Sequence, residues 1–155
     1  NIMRPGIGVG GYCLTKDPDF INFSGKYIFG KKFKFPITNT STKINKMMVH
    51  TSIKFIKNKI NSLKGKKILI LGATYKEDVP DTRNSPSIYL ANYLKRNKIS
   101  FLLHDPMTNS DDNKRYMISN ELPNFNKFHL ILFCVKHSFY RKFSGDFANG
   151  QKYKF

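Results

Sequence analysis

Tryptophan is absent from these 155 residues, cysteine occurs twice, and aspartate and glutamate together number 10 against 27 lysines and arginines. Each scarcity excludes something. Two cysteines, Cys13 in a glycine-rich stretch and Cys134 in an apolar run, do not make the disulfide framework of a small secreted domain. The four histidines, His50, His104, His129 and His137, show no metal-ligand spacing, so no metal site is expected. No apolar run approaches a membrane span and no charged-then-apolar leader opens the chain, so the expectation is a cytoplasmic protein without a membrane partner.

The shortage of acid leaves a net charge of +17. Such a field attracts phosphate from any source: nucleic acid, lipid headgroups or a nucleotide. The lysines, however, are scattered along every segment among abundant asparagine and isoleucine, as a compositional bias would scatter them. No arginine-rich patch interleaved with aromatics marks a nucleic-acid surface, and nucleic acid is not an expected partner.

The length suits one core domain with a helical appendage and leaves no room for two full dinucleotide-type domains. Asn39 to Thr42 offer helix-start residues, and the helical pattern continues to Gly65. Val49, Ile53, Ile56, Ile60 and Leu63 form one apolar stripe, and Ile44, Met48 and Phe55 a second, which predicts two burial partners for one helix. Lys66 to Gly72 reads as a buried parallel strand ending in glycine. Ser85, Pro86 and Ser87 open a helix with Ile88, Leu90, Ala91 and Leu94 on its buried side. Ile99 to His104 and Phe128 to Val135 supply two more strands, with His129 and Cys134 in structural roles. Asn109 to Pro123 reads as loop with a short helix, and the aromatic, basic stretch from His137 onward, interrupted by Gly145 and Gly150, shows no further strand. The order strand, helix, strand and later strand predicts a right-handed βαβ unit with a small sheet of three strands.

Two blocks carry the chemistry. The first runs from Pro5 to Pro18 and places Gly6, Gly8, Gly10 and Gly11 just before Cys13. Such a backbone can approach a ligand closely and present a thiol, which attacks carbonyls well and whose thioester yields to water. The same stretch also suits a turn with a small core cysteine. The second block, Gly72 to Ser87, follows a strand and precedes a helix, at the carboxyl edge of the sheet where open α/β folds bind ligands. There Lys76 and Arg83 can offer two cations to a pyrophosphate, with Asp81 and Thr82 shaping the turn. A solvated loop is the plainer alternative.

In this order the two blocks resemble the nucleotide-sugar 6-dehydrogenases, the family of UDP-glucose dehydrogenase and the UDP-N-acetylhexosamine dehydrogenases. The resemblance runs from about Arg4 to His137. It implies an α/β fold in which a long connecting helix precedes a Rossmann-like doubly wound parallel sheet that can be truncated at its end. The implied divisions are the catalytic-cysteine loop and end of a central domain over 1–36, a connecting and dimerisation helix over 37–65, and a UDP-sugar-binding domain over 66–155. An amino-terminal NAD-binding domain is absent from these residues, and Asn1, not Met, begins them, so the expectation is a piece of a longer protein that is inert alone. The resemblance further places a helix near Asp19 to Ser24, which Gly25 and Gly30 keep from continuing.

In that family a sugar's C6 alcohol is oxidised twice with NAD, through a cysteine thiohemiacetal and thioester, to supply uronic acids for polysaccharides. By resemblance Cys13 is the nucleophile and Asp17 assists proton transfer or water attack. Gly10 and Gly11 line the sugar pocket with their backbone N–H groups, Tyr12 stands beside them as a substrate-binding position, Lys76 contacts the UDP-sugar, and Arg83 reaches the NAD pyrophosphate. Thr15 departs from the family, which often has proline there. The implied substrate is a UDP-N-acetylhexosamine, with UDP-glucose as the other choice, and the implied partner is a second copy along helix 39–64. The rival reading is a non-catalytic nucleotide-binding or assembly module; a basic nucleic-acid protein comes third.

Overall fold

The computed structural model describes residues 6–143. Its centre is a sheet of four parallel strands in the order β3-β2-β1-β4. These are β1 (Lys67–Leu71), β2 (Ser100–His104), β3 (Ile118–Ser119) and β4 (Leu130–Phe133). All but the first residue of β1 are buried, as expected of a strand covered on both faces. Its alternate side chains feed two separate cores. Ile68 and Ile70 pack with Leu63, Leu90, Leu94, Leu103 and Ile118, while Leu69 and Leu71 pack with Phe128, Ile131 and Tyr140. Burying one such aliphatic side chain contributes about 1.5–3 kcal/mol, so this single strand anchors both faces of the domain.

The first face is covered by α2 (Pro36–Ile60) and α3 (Pro86–Arg96). Ser85 caps α3 by accepting a hydrogen bond from the Ser87 N–H, and Pro86 sits at its first position, as the sequence suggests. On α2 the first predicted stripe meets the core, Val49 and Ile53 buried, with Ile56 and Ile60 against it. In the second stripe Ile44 and Phe55 stay exposed. The opposite face is covered by aromatic residues of the 3₁₀ turn Phe125–Lys127 and of α5 (Ser138–Arg141).

Four expectations are corrected. The long helix starts at Pro36 and not at Asn39–Thr42, because proline at the first helical position is already set for the turn; it ends at Ile60, where Asn61 takes a positive φ of 61°, and not at Gly65. Among the described residues the sheet has four strands and not three, since Ile118–Ser119 pairs with Leu103–His104. The predicted short helix near Asp19 to Ser24 is α1 (Cys13–Phe29), which runs through Pro18 and Gly25 and stops only at Gly30. Gly25 lies there because the Phe35 and Phe33 rings press on it, leaving no room for a side chain. Cys13, finally, is not in a loop: it is the first residue of α1. The polar segment 109–123 holds α4 (Ser110–Tyr116), capped by the Asn109 side chain. Gly145 and Gly150 lie outside the described residues.

Candidate functional site

In an open parallel sheet the ligand crevice lies at the carboxyl ends of the strands, where the connections diverge. Here β1 connects through α3 to β2 on one side, while β4 joins β1 on the other, so that point falls between β1 and β4. Gly72 closes β1 at φ 97°, and a Cβ there would meet the Val135 backbone N at 2.7 Å. The loops after the two strands are thus held in close contact.

At the carboxyl edge of the sheet lies a buried polar cluster. Asp105, at the end of β2, accepts hydrogen bonds at Oδ2 from the Ala73 and Thr74 N–H groups (2.6 and 3.0 Å) and at Oδ1 from the Met107 N–H (2.8 Å). His137 Nε2 lies 3.0 Å from the same Oδ2. The Asp78 N–H donates to His137 Nδ1 at 3.0 Å, which places the ring proton on Nε2, pointing at Asp105. Burial pushes the Asp105 carboxyl up, but His137 and the three N–H donors outweigh it and hold the group below the usual carboxylate range. The Thr74 hydroxyl donates to the Lys76 carbonyl at 3.0 Å, and Asp78 Oδ1 accepts from the Ser138 N–H at 2.9 Å. Lys76 therefore stands on a loop pinned from both sides, with its side chain exposed.

The glycine stretch docks on the outer part of this loop. The Gly11 N–H donates to the Arg83 carbonyl at 2.9 Å. A Cβ on Gly10 would lie 2.7 Å from Tyr75 Cβ and 2.8 Å from the Asn84 carbonyl, and one on Gly11 would lie 2.8 Å from the Tyr75 ring. Glycine is required at both places by this approach of backbone to loop. The expectation that both glycines offer N–H groups to a sugar is corrected at Gly11, whose N–H is used within the protein. From the other side Asn45 of α2 clamps Val9, accepting from its N–H at 2.7 Å and donating to its carbonyl at 2.8 Å.

This docking brings Tyr12, the residue before Cys13, beside Arg83, although some seventy residues separate them in sequence. Cys13 is exposed and unpaired with Cys134. Asp17 lies one turn further along α1, on the same face, and forms an exposed ion pair with Lys16 at 2.8 Å. The Arg83 guanidinium stands 5.3 Å from the Tyr12 ring centroid, and Lys16 Nζ stands 5.0 Å from it. Asp81 holds Arg83 through Nε and Nη2, with an Nη2–Oδ2 distance of 2.6 Å. That hydrogen bond pulls the Asp81 carboxyl below its usual range. Nη1 takes no part in this pair. Cys134, by contrast, sits against the core, and burial pushes its thiol up to about 12. It is a packing residue, as the sequence suggests. Among the described residues no group of three or more His, Cys, Asp or Glu side chains could hold a metal ion, and no helix is long and apolar enough to cross a membrane.

Sequence reasoning missed three participants: Asn84, Asp105 and His137. The available signal was position, since Asp105 and His137 each follow an apolar run that ends at the sheet's carboxyl edge.

A parallel sheet with its divergence point between β1 and β4, and a cysteine-bearing glycine stretch seated on the loop after β1, define an α/β domain of the nucleotide-binding class with an exposed cysteine at its edge. The chain belongs to the UDP-glucose/GDP-mannose dehydrogenase family, whose UDP binding domain matches residues 69–153. It is similar to the UDP-N-acetyl-D-mannosamine dehydrogenase of Methanococcus vannielii, 28% identical over 148 residues that cover 94% of this chain and 32% of that protein. The enzyme of the same name from Campylobacter jejuni is 35% identical over 88 residues, covering 57% of this chain and 20% of that protein. Among solved structures, the NDP-N-acetyl-D-galactosaminuronic acid dehydrogenase of Methanosarcina mazei superposes with a TM-score of 0.75 at 26% identity, over 95% of this chain and 32% of that one. The chain thus spans a third or less of the length of these relatives.

Proposed function

We propose that this chain is the thiol and UDP-sugar-binding portion of an NAD-dependent dehydrogenase that oxidises the C6 alcohol of a UDP-sugar to the carboxylate. The observation that carries this reading is the docking of the Gly10–Cys13 segment onto the loop that bears Lys76 and Arg83. The match to the family's UDP binding domain supports a nucleotide at this loop, and the docking supports Cys13 as the thiol that serves it.

Each residue then has a task. Lys76, on its pinned loop, binds the diphosphate of the UDP-sugar. Cys13 Sγ adds to the C6 aldehyde left by the first oxidation, and its thiol proton passes to the new oxygen or to solvent. Loss of a hydride from the thiohemiacetal carbon, with its hydroxyl proton passing to solvent, leaves a thioester on Cys13. Water then attacks the acyl carbon, releasing the uronate and restoring the thiol, with Asp17 one helical turn away to accept the water's proton. NAD, when bound, would supply the hydride acceptor for both oxidations. Arg83 fits its pyrophosphate in charge and in its uncommitted Nη1. Tyr12 stacks on Arg83 and keeps it at the rim of the thiol site.

The names of the relatives favour an N-acetylated UDP-hexosamine over UDP-glucose, and turnover with each sugar nucleotide in parallel decides between them. The exposed Ile44 and Phe55 of α2 support a second copy packed along that helix. The reading as a whole is tested by Cys13→Ser in active protein. The variant is expected to bind the UDP-sugar with unchanged affinity by calorimetry and to lose steady-state turnover. Turnover at the wild-type rate would remove Cys13 from the chemistry.

A further inference from the structure

Among the described residues α1 buries only Gly25. Apolar packing therefore does not fix the first turn of this helix, where Cys13 sits, against the sheet. A set of hydrogen bonds does.

Asn84 takes a positive φ of 52° at the point where the loop turns into α3. Its Nδ2 donates to the Gly11 carbonyl at 3.1 Å and to the Thr15 hydroxyl oxygen at 2.9 Å. Its Oδ1 accepts from the Tyr89 hydroxyl at 3.3 Å. Thr15 spends its own hydroxyl proton on the Gly11 carbonyl, at 2.7 Å, so its oxygen is left as the acceptor toward Asn84. The donors and acceptors are mutually consistent, and together they settle which end of the Asn84 amide is nitrogen. Gly11 lies two residues before Cys13 and Thr15 two residues after, so the segment carrying the thiol is gripped on both sides. Thr15 also stands where proline is common in the family, and a proline ring could not make this contact.

We infer that Asn84 and Thr15 form a latch that sets the position of Cys13 against the nucleotide-binding loop. Both are positioning residues: they act through the backbone around Cys13 and touch no reacting atom. The inference rests on Cys13 being the nucleophile, and it adds two side chains whose chemistry the transferred family roles do not include.

The test uses Asn84→Gly, which removes the amide yet accepts the left-handed backbone without strain, and Thr15→Val, which keeps the shape and deletes the hydroxyl. Thr15→Ser serves as the rescue. Hydrogen exchange of the intact protein is expected to speed up about five- to tenfold at the amides of residues 11–16 in Asn84→Gly and Thr15→Val, the effect of losing about one net hydrogen bond. Thr15→Ser should exchange like the wild type, and the amides of β1 should not change in any variant. In active protein the two disruptive variants should lose about ten- to a hundredfold in kcat with KM for the UDP-sugar within about twofold, as a displaced nucleophile predicts.

Unchanged exchange at residues 11–16 would show that no latch exists. Faster exchange with kcat retained, or a loss confined to KM, would show that the contacts do not position the thiol. Full turnover by Cys13→Ser would sink the underlying reading whatever the exchange data show, so the two failures are told apart.

Discussion

Asp105 is the residue whose loss has the clearest consequence. Its carboxylate is wholly buried and collects three backbone N–H groups and an imidazole N–H, which together keep it ionised below the ordinary range. A carboxylate with a folded pKa below its unfolded value of about 3.9 adds stability that is present above the unfolded value and lost as pH falls through the folded one. Asp81 and Asp78 are shifted in the same direction, the first chiefly by the Arg83 hydrogen bond and the second by the Ser138 N–H. The urea midpoint of the wild type is therefore expected to fall as pH drops below about 4. Asp105→Asn should lower stability by about 2–3 kcal/mol at neutral pH, the worth of hydrogen bonds to a charged group, and should flatten the acid slope. An acid slope unchanged in Asp105→Asn would mean that this carboxylate titrates alike in both states. The contacts that make Asp105 matter were not legible in sequence, because His137 and Thr74 stand 63 residues apart and meet only across the sheet. Asn84 was hidden for the same reason: its partners Gly11 and Thr15 belong to the other block.

At the scale of elements, what could be read was what periodicity encodes. The β1 run, the buried side of α3 and the first stripe of α2 were all visible as apolar patterns, because each buries its side chains against the sheet at a fixed repeat. What could not be read was where packing overrules propensity. Gly25 looked like a helix stop and is instead a place where Phe35 needs room; β3 has two residues inside a polar segment, too few to show a period. The second stripe of α2 leaves Ile44 55% and Phe55 62% exposed, a surface that a paired helix would cover. If α2 joins two copies, Phe55→Glu, with Ile44→Glu as an independent site, should shift sedimentation equilibrium from dimer toward monomer, since a buried unpaired carboxylate costs several kcal/mol. A wild type that sediments as a monomer at every concentration would refute the pairing.

The molecule as a whole joins two parts: a parallel sheet with the Gly72–Ser87 loop at its carboxyl edge, and a helix, α1, whose first residue is Cys13. The pair was legible in sequence as two motifs in order, but the means of joining them was not. Gly10 and Gly11, which read as a ligand cradle, also form the contact between the parts, with Gly11 bonded to Arg83 and Gly10 pressed against Tyr75. The net charge of +17 suits an anionic substrate without naming one. The most direct test of the account is a rapid quench of active protein with UDP-sugar and NAD, followed by peptide mapping by mass spectrometry. The account predicts a hydroxylamine-labile acyl adduct with the mass of the UDP-uronyl group on the peptide bearing Cys13, accumulating further in Asp17→Asn as thioester hydrolysis slows. Continued turnover with the Cys13 peptide unmodified at every quench time, or the adduct on Cys134, would contradict it.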